Sequence, residues 1–209
     1  MTNHPLRAFT IITLALTLGV HLVAKAGQSK AATTAAQDSD VMAAMIEAAY
    51  EPFKSGWVLL DAHAATFACR PTTRRIIDVG GCSGMLGDGE TPEQRLDAVK
   101  RDVPQVTREI LSDLLAKGAR ATDTPPLSTS VPHAMWAPGL DFPSTVRGNP
   151  VFAATLSRPG FDARREHALL YIATMNWTDR SKSMGQYVFL ERPAGKWVPT
   201  GHSLVWGQP

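Results

Sequence analysis

Two segments near the C-terminus, His167–Thr174 and Gly185–Glu191, are apolar on both of their alternating faces. Leu169 and Tyr171 oppose Leu170 and Ile172 in the first; Tyr187 and Phe189 oppose Val188 and Leu190 in the second. Side chains of a strand point alternately to the two faces of its sheet, so strands of this kind demand cover on both sides. Val151–Ser157 and Lys196–Trp206 also read as strands, set off by turn-rich stretches such as Arg192–Gly195. Connections this short predict an antiparallel meander. Helices supply one cover. The other face is left to the Pro-rich connection upstream, to a cleft, or to a partner. An uncovered aromatic face predicts a pocket or patch lined by Tyr171, Tyr187, Phe189, Trp197 and Trp206, suited to a small ligand or an envelope protein.

The helices lie upstream. Val41, Met45, Ile46 and Ala49 fall at helical spacing behind a cap at Ser39 or Asp40, and Pro52 closes this segment. The stronger signal begins at Thr91. Pro92 follows at the first helical position and Gln94 completes a Thr-x-x-Gln capping box. Leu96, Val99, Val103, Val106, Ile110 and Leu114 then form one apolar face. Pro104 interrupts the hydrogen-bond ladder, which predicts a kink or two consecutive helices, and Gly118 offers a C-cap. Trp57–Leu60 reads as a strand, Ala65–Cys69 as its continuation or return, and Ile76–Val79 as a further apolar step. Thr122–Pro150 is too rich in proline for much regular structure. The fold class is α+β: an antiparallel C-terminal β-meander packed against N-terminal and central helices.

The N-terminus bears on where this fold works. Arg7, the apolar run Ala8–Val23 and the small-x-small site Ala24-Lys25-Ala26 have the layout of a secretory signal peptide. A spanning helix wants roughly 20 apolar residues, and this run is shorter and interrupted by Thr10, Thr13, Thr17 and His21. Residues 1–26 are thus a signal peptide, 27–38 a flexible polar leader, and 39–209 a single α+β domain, periplasmic or secreted. Arg7 and Lys25 account for the excess of 21 basic over 19 acidic residues, so the mature chain is neutral. Without a basic stripe, nucleic acid is a poor partner, and no cofactor motif is present. Cys69 and Cys82 are the only cysteines; in an oxidising compartment an even pair is most simply a disulfide, worth about 3 kcal/mol for a loop of this size.

The C-terminal quarter also carries a family resemblance. Leu156-Ser157-Arg158-Pro159-Gly160-Phe161-Asp162, followed by Ala168-Leu169-Leu170-Tyr171, resembles the end of a group of small exported bacterial proteins. In that group a Ser-Arg-x-Gly-Phe-Asn turn precedes an Ala-Leu-Val-Tyr strand, then a Gly-x-Tyr strand, a Gly-Lys-Trp turn and a closing Trp. Here the counterparts are Gly185-Gln186-Tyr187, Gly195-Lys196-Trp197 and Trp206. The resemblance implies export and an α+β fold, and brings no chemistry with it. Its members often carry a cysteine pair between the two central strands. This chain has Trp177–Ser183 there instead, so the resemblance does not imply a bridge between Cys69 and Cys82.

Chemical motifs are sparse. The loop Gly80–Gly87 lacks the Gly-Lys-Ser/Thr of a phosphate loop, and Met85 stands where a nucleophile elbow around Ser83 needs its second glycine. The best hydrolase arrangement is Ser157, Asp162 and His167, which flank one turn; their competing reading is a structural turn capped by Asp162. His63, His133, His167 and His202 form no metal-ligand spacing. Met42, Met45, Met85, Met135, Met175 and Met184 would suit Cu(I) if clustered, but scattered methionines fill cores. The sequence favours a non-enzymatic exported binding or interaction module, with a small serine hydrolase as the alternative and copper binding behind it.

Overall fold

The computed structural model describes residues 35–49, 57–61, 86, 90–119, 134–137, 150–176 and 183–207. Asp38–Pro209 forms a compact unit of its own, separate from Met1–Gln37. Helix α1 covers residues 35–49, α2 Pro92–Asp102 and α3 Arg108–Gly118. Seven strands follow one another in a single sheet among the described residues: β1 (Trp57–Asp61), β2 (Ala134–Ala137), β3 (Pro150–Leu156), β4 (Gly160–Phe161), β5 (His167–Asn176), β6 (Met184–Glu191) and β7 (Val198–Gly207). Their order is β2-β1-β3-β5-β6-β7, with β4 beside β5. The C-terminal strands pair antiparallel throughout, as the short connections predict. Beyond them β1 pairs parallel with both β2 and β3, so the far side of the sheet is mixed.

Both faces of the central strands are covered by helices. Leu169, Tyr171, Ala173, Tyr187 and Phe189 pack against Leu96, Val99 and Val103 of the α2 side and Val106, Ile110, Leu111 and Leu114 of the α3 side. Ala168, Leu170, Ile172, Val188 and Leu190 pack on the other face against Val41, Met42, Met45 and Ile46 of α1. Tyr171, Tyr187, Leu169, Leu170 and Leu190 are inaccessible to solvent. The second cover is therefore α1, and neither a cleft nor a partner is needed for it.

Local chemistry explains most helix ends. The Thr91 hydroxyl accepts from the Gln94 N–H at 3.2 Å, and Gln94 Oε1 accepts from the Thr91 N–H at 2.8 Å. Pro104 divides the apolar face into two helices, and Thr107 caps the second by accepting from the Ile110 N–H. Gly118 is not a left-handed cap: Ala119 follows it in ordinary right-handed conformation. A cap at Ser39 or Asp40 is also corrected, because the helix is already formed at residue 35. Ala35, Ala36 and Gln37 have good helix propensity, and Asp38, within the expected flexible leader, is fully buried. β2 departs from the irregular reading of Thr122–Pro150; Pro132 and Pro138 bracket it, as suits a short strand at a sheet edge. The proposed strands at Ala65–Cys69 and Ile76–Val79 lie outside the described residues. Among the described residues no helix is long and apolar enough to cross a membrane.

If α1 is an integral cover, Ile46→Ala, which empties a fully buried position, should cost about 2–5 kcal/mol in urea unfolding. A cost below about 1 kcal/mol would place α1 outside the cooperative unit.

Candidate functional site

The densest set of polar contacts surrounds the break between β3 and β4, the segment Ser157–Asp162. Pro159 lacks an N–H, and the chain steps out of the ladder before rejoining it at Gly160. Ser157 repairs the gap. Its N–H donates to the Tyr171 carbonyl at 2.8 Å, and its Oγ accepts from the Tyr171 N–H at 2.9 Å. The hydroxyl, fully buried, stands in for a missing main-chain acceptor.

The following residues fasten the break to two helices, Arg158 to α1 and Pro159, Gly160 and Phe161 to α3. Arg158 donates from Nε and Nη2 to Asp38 Oδ2 of α1 at 2.9 and 2.6 Å. Lys117 of α3 donates to the Pro159 carbonyl at 2.8 Å, pairs with Asp113 at 2.8 Å, and stands 4.0 Å from Asp38 Oδ1. A Cβ on Gly160 would collide with the main chain of Ile110 and Leu114, so glycine lets α3 lie directly on the strand. The Phe161 N–H donates to Asp113 Oδ2 at 2.9 Å. Its ring contacts two cations, Lys117 at 4.7 Å and Arg165 at 4.3 Å, and the Trp197 indole at 5.8 Å.

Asp162 closes the turn into β5. Its Oδ1 accepts from the Glu166 and His167 N–H groups, and its Oδ2 lies 2.8 Å from His167 Nδ1. Burial works against ionisation there, but the hydrogen bonds from the His167 ring and from the two N–H groups outweigh it. They hold the Asp162 carboxyl below its ordinary value. Asp38 goes the other way. Burial pushes its carboxyl above the ordinary value despite the opposing pull of Lys117, Arg158 and Arg165.

Of the hydrolase residues, the structure brings Asp162 and His167 together and keeps Ser157 apart. Ser157 sits opposite Tyr171, four residues along β5 from His167, or roughly 13 Å at the rise of a strand. The His167 ring, 41 % exposed, stacks on Phe189 instead. Ser83, Cys69 and Cys82 lie outside the described residues, as do His63 and His133. His202 is exposed on β7, and Met42 and Met45 are buried in the α1 core. Among the described residues no three metal-ligating side chains cluster.

The five aromatic residues do not line one pocket. Tyr171, Tyr187 and Phe189 are sealed beneath α2 and α3, with Trp206 packed at their margin. Trp197 belongs to the α1 side of the sheet. The Trp206 Nε1–H donates to the Tyr171 hydroxyl at 2.9 Å, and Gly185, directly across the ladder from Trp206, leaves room for both rings. Burial pushes the Tyr171 hydroxyl up to about 12 against the lowering by Trp206 and Arg95; burial likewise raises Tyr187. These groups are neutral core tyrosines at physiological pH.

The residues that sequence reasoning missed are Asp38, Asp113, Lys117 and Arg165. Asp113 and Lys117 are visible in sequence only as a generic i,i+4 pair. Asp38 sits in a polar stretch with nothing to set it apart. Comparison with family models, with curated proteins and with solved structures gave no match.

The Arg158–Asp38 pair makes an asymmetric prediction. Arg158→Ala strands a fully buried carboxylate and should cost about 3–5 kcal/mol. Asp38→Ala should cost less, because the Arg158 side chain is 27 % exposed and reaches water. A carboxyl whose folded value is raised stabilises most below its unfolded value, about 3.9, and that contribution is lost as pH rises through the folded value. The Arg158→Ala loss should therefore be larger at pH 7 than at pH 4 in urea unfolding. An equal loss at both would contradict this account of Asp38.

Proposed function

We propose that this chain is a non-enzymatic exported binding or interaction module, working in the periplasm or outside the cell. One observation carries the reading: the polar side chains and main-chain groups of Ser157–Asp162 are engaged in joining α1, α3 and the β4–β5 turn to the sheet. Ser157 Oγ is occupied by a main-chain N–H, and the Asp162–His167 pair belongs to a turn. A segment used in this way serves architecture. The layout of residues 1–26 supports export, and a bridge between Cys69 and Cys82 would suit that compartment. The binding surface, on this reading, is not the aromatic face of the sheet, which α2 and α3 occupy.

Ser157→Ala leaves the Tyr171 N–H buried without its acceptor and should lower stability by about 1–3 kcal/mol. Hydrolysis of a p-nitrophenyl ester should stay at the buffer rate in both the parent and the variant. Turnover by the parent that disappears in folded Ser157→Ala would establish the hydrolase alternative. The exported protein should begin at Gly27 by intact mass, with two thiols alkylated only after reduction; a retained leader would remove the assignment to export.

A further inference from the structure

We draw no further inference here: the strongest candidate, the cluster of Lys117, Arg158 and Arg165 around Asp38 at the β3–β4 break, belongs to the site already described, where Arg158 and Lys117 are engaged with Asp38 and Asp113 and the unpaired Arg165 Nε is sealed from solvent.

Discussion

The rest of this structure depends on the burial of β5 and β6 on both faces. Each strand presents large apolar side chains in both directions, and each buried aliphatic or aromatic side chain is worth about 1.5–3 kcal/mol. A sheet of this kind cannot fold against a single layer. The chain answers with helices from two different places in its sequence: α2 and α3 on one face, α1 on the other. The three-layer order brings α1, 120 residues away in sequence, over the β3–β4 break, where Asp38 meets Arg158.

Apolar burial alone does not fix how a helix sits on a sheet, because many registers bury similar area. Directional contacts at the β3–β4 break supply what burial lacks. Arg158 fixes α1 by donating from two nitrogens to one carboxylate oxygen of Asp38, Lys117 and Asp113 fix α3, Gly160 admits α3 to close contact, and Asp162 sets the turn into β5. A buried ion pair of this type is weak as a source of net stability and better suited to selecting one arrangement over its neighbours. The run Ser-Arg-Pro-Gly-Phe-Asp is accounted for residue by residue in these terms.

The sequence disclosed the parts of the fold that obey local rules. Thr91, Pro92 and Gln94 announce α2 by hydrogen-bond chemistry confined to four residues, and the alternation in β5 and β6 announces two buried faces. Parallel pairing of β1 with β2 and β3 was not legible, since it joins segments more than seventy residues apart with no local signature. The aromatic pocket failed for a specific reason. α2 and α3 seal Tyr171, Tyr187 and Phe189, and Trp197 lies beyond a turn and joins the other core; Trp206 shares their face only because a register shift near Gly185 offsets its parity from Ser203, the residue across from Tyr187. Asp38 was hidden because a buried carboxylate in a polar leader differs from a solvated one only by its distant partner.

Native-state hydrogen exchange tests this picture most directly. If both helical layers and the sheet form one cooperative body, the amides of Val41–Ile46, Leu169–Ile172 and Tyr187–Leu190 should exchange through a common opening whose free energy equals that of global unfolding. Exchange of the α1 amides several kcal/mol more readily than those of β5 and β6 would contradict it, showing α1 to be a detachable cover and the face beneath it a surface available to a partner.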